Sequence, residues 1–201
     1  MNHTRPKIYL AGDLVFRRDA LALFARLKAI CAACGLEGLA PFDGQKEAMG
    51  LPPGRETILK IVAADRALMD GCDAGLFCID PFRRSPEMDP GTAVEIGYML
   101  ALGKPLEAWT TDPRPYAEKV DHYWRAAWAL PLAPRPPIRD APASGALEDP
   151  DGMLVHSDGM LQNGMVEGFI SFGGGVVSTA PACETAFRKA ATRLARRLGA
   201  G

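Results

Sequence analysis

Between residues 7 and 111 the chain switches hydrophobic period again and again, and that alternation restricts the fold more than any other feature. Each short, β-prone apolar run is followed by a stretch with helical spacing. K-I-Y-L-A-G (7–12) reads as a strand, and residues 19–34 as a helix with Leu23, Leu27 and Ile30 on one face and Gly35 as its stop. L-E-G-L-A-P gives a weaker second strand, followed by the turn-like P-F-D-G-Q. A second helix is expected from Gly54 to Asp70, with an apolar stripe of Ile58, Ile61, Val62, Leu68 and Met69. A-G-L-F-C-I-D (74–80) is a third strand. Pro90 to Leu102 is a third helix, with Asp89 suited to its N-cap and Pro90 to its first position. P-L-E-A-W-T-T (105–111) makes a fourth strand. This spacing predicts an α/β fold with a parallel sheet covered on both faces. Ligands in such sheets gather beyond the carboxyl ends of the strands. That rule selects residues 12–16, 42–45 and 80–89 and the loop after the fourth strand.

The later pattern is looser. Tyr116 to Trp128 suits a helix, whereas residues 129–152 hold six of the 17 prolines and are expected to run as an extended loop. A short helix at Gly164 to Ile170, a fifth strand in G-V-V-S-T and a last helix from Ala182 to Leu198 complete the chain. Arg188, Lys189, Arg193, Arg196 and Arg197 on that helix read as a solvated face. A chain of 201 residues is expected to form one domain.

Composition excludes several classes. With 23 basic and 24 acidic residues there is no electrostatic footprint for nucleic acid or an anionic membrane. No apolar run reaches the roughly 18 residues of a membrane span, and the start lacks a signal-peptide core, so a cytoplasmic protein is expected. The five cysteines (Cys31, Cys34, Cys72, Cys78 and Cys183) lack disulfide-framework spacing and suit a reducing compartment. C-A-A-C (31–34) falls at a helix C-terminus, where the dipole opposes thiolate formation. His3, His122 and His156 are scattered, so neither a metal nor a cofactor is expected. His156 and Ser157 adjoin without a G-x-S-x-G elbow, which argues against a serine triad. F-G-G-G-V (172–176) lacks the G-x-G-x-x-G phosphate pattern and reads as a flexible loop.

The chemistry-bearing anomaly is Glu95. It is the only charge between Gly91 and Gly103, in a helix otherwise built from Ala, Val, Ile, Met and Leu. Either it lies on a wet edge, or it has a partner or a task, because burying an unpaired charge is costly. Asp65 occupies a seam position of the second helix in the same way, with a surface pair to Arg66 as the plain alternative. Asp89 stands at the mouth of the third helix, where capping alone explains it equally well. Carboxylates sharing one cleft push their pKa values apart, supplying an ionised nucleophile and a protonated acid together. Chemistry at an anomeric carbon requires that division. An exposed or hydrogen-bonded Glu95 is expected to be ionised at pH 7.

I-Y-L-A-G, P-F-D-G-Q, Asp65 eight residues before Asp73, and D-P-G-T-A-V-E-I-G-Y together resemble the nucleoside 2-deoxyribosyltransferase family, with a further match at Q-N-G-M-V-E-G (162–168). The resemblance implies a flavodoxin-like, doubly wound sheet of five parallel strands with helices on both faces. It implies transfer of a 2-deoxyribosyl group between nucleobases, with a deoxynucleoside and a free nucleobase as substrates. Glu95 would be the nucleophile, and Asp89 and Asp65 the pair that contacts the base and manages its proton. Tyr9, Gly12, Phe16, Asp43 and Gln45 match substrate-pocket positions, Tyr9 orienting Glu95. Asn163 and Met165 match an Asn-x-Met that reaches a neighbouring subunit's sugar, implying a homo-oligomer of at least two copies. Three features depart from the family pattern: Asp13 in place of a common Pro, a longer Pro-rich stretch before Asn163, and Gly164 in place of a bulkier apolar residue. An N-glycoside hydrolase and a non-catalytic nucleoside or nucleotide sensor are the competing readings.

Overall fold

The computed structural model describes residues 4–46, 50–137, 145–155 and 158–200. In chain order the elements are β1 (Lys7–Ala11), α1 (Ala20–Ala33), β2 (Glu37–Leu39), α2 (Pro41–Gly44), α3 (Arg55–Asp70), β3 (Ala74–Cys78), α4 (Pro90–Ala101), β4 (Leu106–Thr110) and α5 (Tyr116–Trp128). There follow β5 (Ala133–Pro134), β6 (Leu147–Glu148), β7 (Leu154–Val155), α6 (Gly164–Phe172), β8 (Val177–Thr179) and α7 (Cys183–Arg197). Five strands form one sheet in the order β2-β1-β3-β4-β8, parallel throughout. This is the flavodoxin-like order, in which chain direction across the sheet reverses between β1 and β3.

Side-chain alternation along each strand divides the interior in two. Ile8 and Leu10 join Leu76 and Trp109 beneath α1 and α7, packed by Leu23, Phe24, Leu27, Phe187 and Leu194. Tyr9 and Ala11 point the other way, into a second core with Phe77, Leu106, Ile96 and Met99 of α4, Ile170 of α6 and Met69 of α3. The period of two therefore fixes the face on which Tyr9 stands. Cys31 is wholly buried in the first core, and burial pushes its thiol up to about 12, as a packing residue rather than a redox one requires.

Four stretches differ from the sequence-based expectation. P-F-D-G-Q is the helical turn α2 rather than a bare turn. Residues 129–152 carry β5 and β6, which pair antiparallel with each other, and β6 pairs antiparallel with β7. The apolar face of α5 is the reason: Tyr116, Ala117 and Val120 need a cover, and Val155 of β7 supplies part of it. Residues 138–144 of that stretch, and His156 and Ser157, lie outside the described residues. The F-G-G-G-V run is a tight packing turn and not a flexible loop, since a Cβ on Gly175 would stand 2.0 Å from the Leu106 carbonyl oxygen. Finally, the stripe on α3 is only partly internal: Met69 is buried and Ile61 and Leu68 are half-buried, whereas Ile58 and Val62 are exposed. Among the described residues, no helix is long and apolar enough to cross a membrane.

The basic face of α7 also does more than meet solvent. Glu107 on β4 is completely buried, and Arg197 reaches it at 3.0 Å while donating to the Leu106 and Gly173 carbonyls. Arg193 stands 3.6 Å from its other oxygen. Removing Arg197 strands a charge in the interior. Arg197→Met is expected to cost about 3 kcal/mol in urea unfolding, whereas Glu107→Leu combined with Arg197→Met recovers most of that loss.

Candidate active site

Tyr9 is fully buried on β1, and its hydroxyl donates to Glu95 Oε1 at 2.6 Å. Glu95 sits in the second turn of α4, on the side that faces the sheet, and does not point into bulk water. Among the described residues its second oxygen accepts no hydrogen bond. Burial is the largest influence on this carboxyl; the Tyr9 hydrogen bond opposes it, and Asp65 and Asp89 add to it, leaving the group pushed up to about 7. The expectation of an ionised Glu95 at pH 7 is thus corrected: desolvation and two neighbouring acids shift it toward the neutral form. Burial and the adjacent Glu95 likewise hold the Tyr9 phenol well above its ordinary range, so it remains a donor.

Two further carboxylates face the same crevice. Asp65 on α3 accepts from Gln45 Nε2 at 2.8 Å, and burial raises its carboxyl while this bond partly offsets the rise. It does not pair with Arg66, whose Nε instead donates to the Tyr98 hydroxyl at 3.1 Å. Asp89 is buried and caps α4: its Oδ2 accepts from the Thr92 amide at 2.8 Å and the Thr92 hydroxyl at 2.9 Å. Capping occupies one oxygen, and Oδ1 accepts nothing among the described residues. The capping and chemical readings of Asp89 are therefore compatible.

Gly12 closes the end of β1 with φ 150°, and a Cβ there would lie 2.4 Å from Cys78 Cβ. Only glycine fits so close a passage between β1 and β3. Asp13 follows it. Its Oδ1 is buried without a hydrogen-bond partner, and its carboxyl is raised first by burial and then by Asp80, with a Cys78 hydrogen bond acting the other way. Its sequence signal was the departure from proline after Ala11-Gly12. Asp80 binds the Thr110 hydroxyl at 2.5 Å, the Thr111 amide at 2.6 Å and the Thr111 hydroxyl at 2.8 Å, tying the exit of β3 to that of β4. Only its place at a strand end could have marked it.

Other expected residues stand apart from the acid cluster. Asp43 is engaged by Lys28 at 2.6 Å and by the Ala40 amide at 2.8 Å, so its carboxylate serves the α1–α2 junction. Phe16 is 60 % exposed at the mouth of the crevice. Asn163 caps α6 through Oδ1, which accepts from the Met165 amide at 2.9 Å, and the Met165 side chain is 65 % exposed. Gln162, missed in the sequence, is fully buried. It donates to the Ile79 and Pro86 carbonyls at 3.4 and 3.3 Å and accepts from the Asn163 amide at 2.9 Å. It thereby joins the loop that carries Asp89 to the start of α6. Among the described residues no group of three or more His, Cys, Asp or Glu side chains is placed to hold a metal ion.

The profile of the nucleoside 2-deoxyribosyltransferase family matches residues 8–165. A relative from Schizosaccharomyces pombe, itself uncharacterised, is 55 % identical over 196 residues, covering 98 % of this chain and 92 % of that protein. The solved structure of a 2-desoxiribosyltransferase from Leishmania mexicana superposes with a TM-score of 0.59 at 27 % identity, over 92 % of this chain and 97 % of that one. A conserved protein from Enterococcus faecalis shares the fold, with a TM-score of 0.56 at 18 % identity over 95 % of this chain and 99 % of that one.

The raised carboxyl carries a stability consequence with a definite sign. The folded-state pKa of Glu95, about 7, exceeds the ordinary 4.5, so folding binds a proton and the penalty for ionising Glu95 develops as pH rises between these values. Glu95→Gln removes that penalty. The variant is expected to match the parent near pH 4 and to exceed it by about 1–3 kcal/mol at pH 8, at roughly 1.4 kcal/mol per pH unit. Thermal melts at the two pH values measure the difference.

Proposed function

This chain belongs to the nucleoside 2-deoxyribosyltransferase family, and we propose that it exchanges the nucleobase of a 2′-deoxynucleoside through a covalent ester on Glu95. The observation that carries this reading is the Tyr9–Glu95 hydrogen bond of 2.6 Å, which fixes one carboxylate oxygen and leaves the other free beside Asp65 and Asp89. In the first half-reaction the free oxygen attacks C1′, and the C1′–N bond breaks with its electron pair leaving on the base. A proton from Asp65 or Asp89 neutralises the departing ring nitrogen, a role that the raised carboxyl of Asp65 favours. In the second half-reaction a ring nitrogen of the incoming base attacks C1′, and the C1′–O bond returns its electrons to Glu95. The proton of that nitrogen passes back to the aspartate. No net proton is consumed, and the cycle is ping-pong.

The sugar site is completed, on this reading, by Asn163 and Met165 of a second copy, so that function depends on at least a dimer. The surface supports such an assembly. Ile58, Leu59 and Val62 of α3, Val94 of α4, and Met165 and Phe172 of α6 are all exposed apolar side chains on helices that cover the same face of the sheet. The exchange would serve nucleotide salvage in the cytoplasm.

Incubation with a deoxynucleoside and a second free base, followed by chromatography, tests the reading. A new deoxynucleoside is expected, and Glu95→Ala abolishes it. Base release that needs no acceptor would identify a hydrolase, and binding that survives Glu95→Ala without any base release would identify a sensor. Because attack requires the ionised form, kcat/KM is expected to rise about tenfold per pH unit toward a plateau above pH 7, the value to which Glu95 is raised. Tyr9→Phe deletes the interaction that lowers this carboxyl. Its profile is expected to move to higher pH, with activity at pH 7 reduced roughly tenfold.

A further inference from the structure

The rim of the crevice carries a feature that the transfer chemistry leaves unused. Residues 16–18 and 82–84 both read F-R-R. β1 pairs with β3 so that Ala11 lies opposite Phe77, and each phenylalanine follows five residues later. Phe16 ends a 3-10 turn (Asp13–Phe16) that follows β1 and Phe82 lies in the loop that follows β3, and their rings meet with centroids 5.4 Å apart and planes inclined by 33°. The Arg83 guanidinium lies across both, its Cζ 4.5 Å from the Phe82 centroid and 5.7 Å from that of Phe16.

This arrangement is built rather than incidental. Arg83 and Arg84 both adopt left-handed backbone, with φ of 52° and 64°, which a side chain other than glycine enters only under constraint. The constraint is visible. The Phe82 amide donates to the Glu87 carbonyl at 2.8 Å, the Ser85 amide to the Phe82 carbonyl at 2.9 Å, and the Glu87 amide to Ser85 Oγ at 3.1 Å. From outside the loop the Tyr116 hydroxyl binds Glu87, and buried Gln162 holds the Pro86 carbonyl. The guanidinium so presented makes no ion pair or hydrogen bond among the described residues, although Asp13 and Asp80 follow the ends of the same two strands. Arg17, by contrast, is paired with Asp19 at 3.0 Å.

A solvent-exposed guanidinium fork without a protein partner, propped on the exposed Phe16 ring and the half-buried Phe82 ring, suits a planar heterocycle with two adjacent acceptors on one edge. A 6-oxopurine presents such an edge in O6 and N7. A 6-aminopurine presents N7 beside an amino donor, which meets the guanidinium donor to donor. Resting on the transfer reading above, we propose that Arg83, propped on Phe82 and Phe16, is the specificity-determining residue that selects 6-oxopurines over 6-aminopurines. Its fork contacts the base edge, and the carboxylates below it carry out the exchange.

Steady-state kinetics with 2′-deoxyinosine or 2′-deoxyadenosine as donor and one common acceptor base test this. The parent is expected to favour 2′-deoxyinosine. Arg83→Gln lowers kcat/KM for that donor by about 10–100-fold and leaves 2′-deoxyadenosine within about twofold. Arg83→Lys keeps the charge without the fork and recovers only a small part of the loss. Equal losses for both donors, no loss, or full recovery by Arg83→Lys overturns the proposal. So does a loss confined to 2′-deoxyinosine 5′-monophosphate, which would make Arg83 a phosphate contact. If the parent exchanges no base at all, the transfer reading fails, and calorimetry still tests Arg83. Hypoxanthine is expected to bind Glu95→Gln more tightly than adenine, and the Arg83→Gln/Glu95→Gln double variant to lose that preference; an unchanged preference overturns the assignment.

Discussion

A carboxylate withdrawn from water against a buried phenol is the interaction around which this molecule is arranged. Glu95 interrupts an apolar helix, and Tyr9 is a polar-tipped residue between Ile8 and Leu10 in the buried part of β1. Neither polar end is tolerable alone in the core they share with Phe77, Ile96 and Met99, and each satisfies the other. Desolvation pulls the carboxyl toward neutrality and the phenol pulls it back. The balance falls near neutral pH, so that small changes in either influence alter the ionisation of this carboxyl.

The rest of the fold holds the neighbours of that pair in place. In a parallel sheet with this strand order, the connections after β1 and β3 leave toward opposite sides and open a crevice between them. Asp13 and Phe16 enter it from one strand end, and Asp80, Phe82, Arg83 and Asp89 from the other. The loop from β3 to α4 is long enough to move, yet it is fastened from three directions. Asp80 is bound by Thr110 and Thr111 at the end of β4, Glu87 by Tyr116 of α5, and the Ile79 and Pro86 carbonyls by Gln162. Lys119, itself buried, donates to the Leu161 carbonyl at 2.6 Å and anchors the segment from which Gln162 projects. The second half of the chain thus stiffens a site whose acids come from the first half, which is what preorganised electrostatics require.

Legibility in the sequence followed the range of the interactions. The parallel sheet was readable because strand and helix periods are local, and Glu95 because a lone charge breaks a local pattern. Asp89 was readable as a cap for the same reason, though its unengaged second oxygen was not. The Gln45–Asp65 pair spans 20 positions and the Arg197–Glu107 pair 90, and neither follows from periodicity. The α3 stripe illustrates the opposite failure. Its spacing reads as core-facing, but only its C-terminal part packs against the core, and Ile58 and Val62 remain exposed. The antiparallel pairing of β5, β6 and β7 leaves no signal in the sequence, because strands of two residues carry no period.

By itself, the order of residues determined the alternation of strands and helices, the strand ends at which chemistry can occur, and the carboxylates, Glu95 above all, that break an apolar helical pattern. Those are consequences of steric periods and of the cost of burying charge, both of which act over a few residues. Only the tertiary structure decided that Glu95 is buried against Tyr9 with one oxygen left free, that Asp13 is left with an unsatisfied oxygen, and that two F-R-R tripeptides 66 positions apart bring their phenylalanine rings together. Each of these depends on strand register and on which face of the sheet a side chain takes. Pairing between distant segments sets both, and no local pattern encodes it.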